Sequence, residues 1–161
     1  VGDSGISGGN FHAFLDDGTM HDLGTLGGNS SLAHGINNSG QVVGYSEILG
    51  NSAIDAFVSN GMTMHDLGAP GGGDFGSANG INNLGQIIVN DNDTHAFLYD
   101  GTTMHDIGTL GGTTSTAYGI SDRGEVVGQS SIPGTFVYNH AFIYDGVMHD
   151  IGTLGGGNSS A

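Results

Sequence analysis

Apolar and polar positions along this chain fall in short runs that recur in one order. In the clearest stretch, residues 31–36 (SLAHGI), 41–46 (QVVGYS), 55–59 (DAFVS) and 63–67 (TMHDL) are runs of strand length. No segment carries apolar residues at a 3.6-residue spacing, so strands are predicted throughout and helices nowhere. Asn37-Asn38-Ser39-Gly40 separates the first two runs and Asn60-Gly61 the last two. Asn-Gly and Asp-Gly between such runs signal a tight hairpin. The same slot holds Asp17-Gly18, Asp100-Gly101 and Asp145-Gly146. The other turn returns as Gly80-Ile-Asn-Asn-Leu-Gly85 and Gly119-Ile-Ser-Asp-Arg-Gly124.

The runs are copies of one unit. His21-Asp22, His65-Asp66, His105-Asp106 and His149-Asp150 recur at intervals of 44, 40 and 44 residues, each after a Met and before Leu or Ile and then Gly. A repeat of this length with its own turns is one supersecondary element copied along the chain. Four short strands per period match a propeller blade. Runs such as Ala96-Phe97-Leu98-Tyr99, apolar on both sides of the pleat, suit a sheet packed between two others. A β-solenoid would need a shorter rung, and a β-sandwich would not demand identical units. The expected fold is therefore all-β, a β-propeller-like array of four-stranded antiparallel blades, about 3.7 repeats in an open or incomplete ring. Residues 1–161 form a single repeat domain with approximate units 1–28, 29–72, 73–112 and 113–156, and 157–161 start another.

The phase of the two ends adds an expectation. Val1-Gly2-Asp3-Ser4 aligns with Val43-Gly44-Tyr45-Ser46, and the segment from Asn158 aligns with the one from Asn29. The sequence thus starts and stops within a unit, as an excerpt or processed form would, or as a chain whose incomplete terminal blades pair with another copy.

Composition narrows the function classes. Thirty-three glycines would suggest low complexity, but they sit at matched repeat positions and read as turn residues. Sixteen acidic residues face one basic residue, Arg123, for a formal net charge of −15. Nucleic acid and anionic membrane surfaces both need clustered Lys and Arg and are excluded as partners. No apolar run is long enough to span a bilayer, so membrane insertion is not expected. Without cysteine there is no thiol nucleophile, disulfide or thiolate metal site.

The words His12-Ala13-Phe14, Asp22-Leu-Gly-Thr-Leu-Gly-Gly28, Gly35-Ile-Asn-Asn-Ser-Gly40 and Gln41-Val-Val-Gly44 resemble the HAF repeat, a family of extracellular repeat proteins of bacteria. The likeness runs over essentially the whole chain. The second unit departs from it, with Asp55-Ala56-Phe57 for the His-Ala-Phe word and Ala69-Pro70 for Thr-Leu. The resemblance implies export or a cell-surface location and brings no activity or catalytic residue with it.

Candidate chemistry starts with the His-Asp pairs. Neighbours on a strand face opposite sides, so His21 and Asp22 cannot grip one ion from a regular strand. Across the hairpin, His12 can meet His21, His95 can meet His105, and His140 can meet His149, while Asp55 replaces that partner opposite His65. Such pairs suit a transition metal, Zn²⁺ first. The bland alternative is a buried hydrogen bond that locks each blade, and it is favoured because a scaffold needs the bond in every copy while a catalyst needs it once. The repeat-locking set is then His12, His21, Asp22, Asp55, His65, Asp66, His95, His105, Asp106, His140, His149 and Asp150. In Asn90-Asp-Asn-Asp-Thr-His95, Asp91 and Asp93 are oxygen donors suited to Ca²⁺, with an Asx-rich turn as the alternative. Phe14, Phe57, Phe97 and Phe142 share one repeat position and are expected between blades.

No catalytic residue is singled out: there is no nucleophile elbow, and Glu47 and Glu125 are the only glutamates. The expectation is a non-enzymatic extracellular structural or adhesive protein that self-associates through its terminal blades, with no cofactor required. The alternatives are a propeller module that binds glycans or divalent cations, Ca²⁺ or Zn²⁺, or a non-catalytic domain of a larger secreted hydrolase. The expected partners are accordingly another copy of the chain or a surface glycan.

Overall fold

The structure, a computed structural model, describes every residue except Asp93 and residues 135–137. Among the described residues the regular elements are fifteen strands and one 3-10 turn at Pro70–Gly72. The first sheet holds β1 (Gly2–Gly5), β2 (Phe11–Asp16) and β3 (Met20–Asp22). The second holds β4 (Gly27–Ile36), β5 (Val42–Ile48), β6 (Ile54–Ser59) and β7 (Met64–Gly68). The third holds β8 (Ser77–Ile81), β9 (Ile87–Asn90), β10 (Ala96–Tyr99) and β11 (Met104–Asp106). The fourth holds β12 (Ser115–Ile120), β13 (Val126–Ser131), β14 (Asn139–Tyr144) and β15 (Met148–Gly152).

Each sheet is an antiparallel meander in chain order, because every connection inside a sheet is a short turn between sequential strands. The sheets follow one another along the chain, and the described residues form no closed barrel or ring. Neighbouring first strands touch, β4 with β8 and β8 with β12. The predicted strand positions agree closely with these elements, with one difference. The first strand of the second unit reaches back to Gly27, through a glycine-rich stretch without alternation, because Gly27 pairs with Ile48 of β5. No described helix is long and apolar enough to cross a membrane.

The core lies between the sheets in three layers. Ala13, Leu15, Leu23 and Leu26 of the first repeat cover Val42, Phe57 and Met64 of the second sheet. Val43, Ala56, Val58 and Leu67 cover Ile87, Phe97 and Met104 of the third. Ile88, Ala96, Leu98, Ile107 and Leu110 cover Val126, Phe142 and Met148 of the fourth. Strand β10 shows why its residues are apolar on both sides: Ala96 and Leu98 point into one layer, Phe97 and Tyr99 into the other. Phe57 and Phe142 are fully buried, whereas Phe14, at the same repeat position, has no sheet over it and stays half-buried. Burying one such ring contributes about 1.5–3 kcal/mol, so these layers are the main attraction between sheets.

Candidate functional site

The His-Ala-Phe word and the Met-His-Asp word meet across one hairpin in three sheets. Phe14 of β2 lies opposite Asp22 of β3, Phe97 opposite Asp106, and Phe142 opposite Asp150. His and Phe two residues apart share a face, so the histidine ends up diagonal to the aspartate. The His12 Nδ1–H donates to both Asp22 carboxylate oxygens at 2.9 Å. His95 donates to Asp106 at 2.9 and 2.7 Å, and His140 to Asp150 at 3.0 and 2.9 Å. An ionised carboxylate only accepts, which fixes the proton on Nδ1.

These contacts differ from the expected facing histidines. His21 sits opposite Leu15 and points away from His12, and its Nε2–H donates to the turn residue Asp17 at 3.0 Å. His105 likewise donates to Asp100 at 2.8 Å and His149 to Asp145 at 3.1 Å. Nor are the pairs buried: the His12 side chain is 20% exposed and that of Asp22 59%. The divergence of His21 and Asp22 follows from strand alternation, and their separate partners follow from it.

The second sheet breaks the pattern. Asp55 replaces the first histidine and stands against Asp66, while Asn60 occupies the turn position that would pair with His65. Burial raises the Asp55 carboxyl above its ordinary range, and the charge of Asp66 and a hydrogen bond with it raise it further. Asp22 moves the other way: partial burial pushes it up, but the Gly24 N–H and His12 outweigh that and hold it low. Asp150 is lowered chiefly by His140, with the Gly152 N–H also lowering it. His21 and the Thr19 N–H hold Asp17 low, and His105 with the Thr102 hydroxyl does the same for Asp100.

The His-Asp pair is one step of a longer chain of bonds. Asp22 accepts from the Gly24 N–H at 2.8 Å, and Asp66, Asp106 and Asp150 accept at 2.7 Å from Gly68, Gly108 and Gly152. This aspartate turn holds the glycine at a φ between 72 and 77°, a left-handed conformation in which a Cβ is strained. The carbonyls of Gly24 and Gly108 then turn toward the next sheet. The Ser31 hydroxyl donates to Gly24 at 2.5 Å and accepts from the Ala13 N–H at 2.9 Å. Ser115 does the same with Gly108 at 2.7 Å and Ala96 at 3.0 Å, and Ser159 with Gly152 at 2.5 Å and Ala141 at 2.8 Å. A single hydroxyl thereby ties the segment that follows each hairpin to both sides of that hairpin, the His-Ala-Phe strand and the glycine after Met-His-Asp.

A second tie runs between the Asn turns. The Asn37 side-chain N–H donates to the Asn82 carbonyl at 3.1 Å, and Asn82 to the Ser121 carbonyl at 2.9 Å. The Asn38 N–H donates to the Asn83 side chain at 2.8 Å, and the Asn83 N–H to Asp122 at 2.9 Å.

From the sequence the asparagines read as turn residues and the serines carried no role; the ties of both to a neighbouring sheet are new. Their signal was a fixed offset: each latch serine follows its glycine by seven residues, as 24 to 31, 108 to 115 and 152 to 159. That offset also corrects the alignment of the last segment. Ser159, one residue later than matching Asn158 to Asn29 suggests, takes the place of Ser31, because an extra glycine precedes Asn158.

Among the described residues no group of three or more His, Asp or Glu side chains is placed to hold a metal ion. Of the two residues proposed for Ca²⁺, Asp93 lies outside the described residues. Asp91 accepts from the Thr94 N–H at 2.8 Å and the Thr94 hydroxyl at 2.5 Å, an aspartate turn within its own loop.

Comparison with family models, with curated proteins and with solved structures returns no match, so the likeness to HAF repeats rests on the recurring words themselves.

Proposed function

We propose that this chain is a non-enzymatic structural repeat module of the extracellular, HAF-repeat kind, its sheets being the blades of a propeller-like open array. The observation that carries the reading is where the polar side chains go. The sequence His, Asp, Gly, Ser runs from His12 to Ser31, from His95 to Ser115 and from His140 to Ser159; it joins the first sheet to the second and the third to the fourth, while the junction of the second and third sheets, with Asp55 and Phe75 at the corresponding positions, lacks it. Chemistry copied at two of the three internal junctions, and again after the fourth sheet, suits a scaffold, which uses one bond repeatedly where a catalyst uses it once. The acidic, lysine-free surface suits exposure and mutual repulsion outside a cell. The module works by presenting a stiff array.

Calorimetric titration with Ca²⁺ and Zn²⁺, followed by a glycan array, tests the reading. The expected result is no saturable heat and no glycan hit. Micromolar binding of either ion, or a reproducible set of glycan hits, would replace the scaffold with a binding module.

A further inference from the structure

The second sheet departs from the repeat once more, in the turn between β6 and β7. Three hairpins turn on Asp-Gly, at Asp17, Asp100 and Asp145, and each aspartate receives the Nε2–H of the histidine that follows it. The hairpin of the second sheet turns on Asn60-Gly61 instead. Its histidine is in place all the same. His65 is exposed and lies opposite Val58, as His105 is exposed and lies opposite Leu98.

Asn60 sits in the same cradle as Asp100. Its side-chain carbonyl accepts from the Met62 N–H at 3.0 Å, the Thr63 N–H at 2.9 Å and the Thr63 hydroxyl at 3.1 Å. One oxygen of Asp100 accepts from the Thr102 N–H at 2.9 Å, the Thr103 N–H at 2.8 Å and the Thr102 hydroxyl at 2.7 Å. Three donors on one Asn60 atom identify it as the oxygen. The amide nitrogen is then the counterpart of the second carboxylate oxygen, the one to which His105 donates at 2.8 Å. His65 follows Asn60 at the same spacing as His105 follows Asp100. Exchange of that nitrogen for oxygen would make the two turns alike.

The turn carries the chemistry for the exchange. The main-chain nitrogen of Gly61 attacks the side-chain carbonyl carbon of Asn60 and closes an imide ring. The bond from that carbon to Nδ2 breaks, and ammonia leaves with the proton given up by Gly61. Water then opens the ring. Its oxygen adds at the former side-chain carbonyl to give aspartate, or at the main-chain carbonyl to give isoaspartate, and a proton returns to the Gly61 nitrogen. Glycine puts no Cβ beside the attacking atom. The three donors on Oδ1 meet the negative charge that builds there during attack. The Gly61 N–H is held by the Ser59 hydroxyl at 3.1 Å, a side-chain bond outside the strand ladder, and Asn60 is open to water.

Asn79-Gly80, the other Asn-Gly pair of the chain, sits where the reaction is suppressed. Gly80 pairs with Ile88 within β8, and the Asn79 side-chain carbonyl accepts from the Asn90 amide at 3.0 Å. Strand β8 packs against both β4 and β12. Attack there requires a core strand to open, whereas attack at Asn60 requires only an exposed turn to loosen.

We propose that Asn60 is a self-modification site, converted in the folded protein to an aspartate that pairs with His65 as Asp100 pairs with His105. The conversion is irreversible and adds one negative charge to the formal −15. It supplies the second sheet with the turn pair that the other three sheets carry from the start. The proposal stands apart from the scaffold reading, because neither Asn60 nor His65 ties one sheet to another; binding of an ion or a glycan would remove that reading and leave this one untouched.

Ageing the intact protein in mildly alkaline buffer, with peptide mapping by mass spectrometry, tests the reaction. Asn60 is expected to convert at least about tenfold faster than Asn79 in the folded chain, and the two at similar rates in urea. An aspartate-directed protease distinguishes the products, since it cleaves before aspartate and not before isoaspartate. The variant Asn60→Asp tests the pairing. Its His65 is expected to hold the proton on Nε2 at neutral pH, read from imidazole nitrogen NMR, in the pattern of His105. Its melting temperature should rise by about 1–3 °C, the range for an exposed pair in a chain of this size. Adding His65→Ala should abolish that rise. The proposal is overturned if Asn60 converts no faster than Asn79 in the folded chain, or if isoaspartate is the sole product. A melting gain that survives His65→Ala, or a His65 unchanged in Asn60→Asp, would overturn it equally.

Discussion

Removing the Ser115 hydroxyl is the sharpest perturbation of the junctions. Ser115 and Ala96 are both buried, and the hydroxyl serves the Ala96 N–H at 3.0 Å and the Gly108 carbonyl at 2.7 Å. Ser115→Ala leaves the N–H unpaired behind the covering sheet, at about 1–3 kcal/mol for a buried donor. Gly108 is half-buried, so water recovers part of what its carbonyl loses. The expected total is about 2–3 kcal/mol, or about 5–9 °C in melting temperature for a chain of this size. Ser159→Ala removes the same two bonds at the open face, where Ser159 is half-exposed and water can replace the hydroxyl. Its expected cost is about 0.5–1 kcal/mol. Urea unfolding of both variants supplies the difference, and amide exchange at Ala96 reports the junction itself, which matters if the sheets unfold one by one. The reasoning is refuted if the two variants lose the same stability, or if the Ala96 amide in Ser115→Ala remains as protected as in wild type.

Two further outcomes follow from the same structure. Asp55→His restores the pair found in the other sheets and should stabilise the protein at pH 7 by about 0.5–1 kcal/mol, the low end for a hydrogen bond because the site is partly wet. Asp55 has a raised folded-state value, so its contribution is complete below about pH 4 and fades as pH rises through that value; Asp22 and Asp150 have lowered values, and their contributions fade as pH falls. The gain from Asp55→His should therefore shrink between pH 7 and pH 4, and an equal gain at both, read from melting curves, would contradict the assigned carboxylate pair. Gly128→Ala places a methyl group onto the Thr116 carbonyl oxygen and against the Phe142 ring, and should cost about 3 kcal/mol or prevent folding, whereas Gly73→Ala, at a negative φ and with open space around the added methyl, should be far milder by urea unfolding.

How much of this was legible depended on whether the signal was local. The hairpins at Asp17, Asn60, Asp100 and Asp145 announce themselves in two residues, and the strands on either side fall where the alternation puts them. The partners of the histidines were not local. Register shifts between Ala56 and Phe57 and between Ala141 and Phe142 add a residue to the fourth strand, so the position facing the alanine is a glycine, two residues past the aspartate. The histidine partners follow from the turn register, which sets His21 opposite Leu15 and His149 opposite Ile143 and so puts the two histidines of each hairpin on opposite faces. The serine latches were invisible for a different reason: a serine at the head of a short strand carries no sign of its partners, and only its bonds to another sheet give it a role. Asp55 was legible as a departure from the repeat, but its neighbour Asp66 emerged only from the packing.

The central claim is that the repeated His and Asp side chains fasten the sheets and hold no ion. Melting the chain in EDTA and again in saturating Zn²⁺ or Ca²⁺ tests it most directly, because an ion bound only by the folded state adds about 2.7 kcal/mol at one hundred times its dissociation constant. An unchanged melting temperature in all three conditions is the expected result. A rise that grows with ion concentration and disappears in His95→Ala would contradict it.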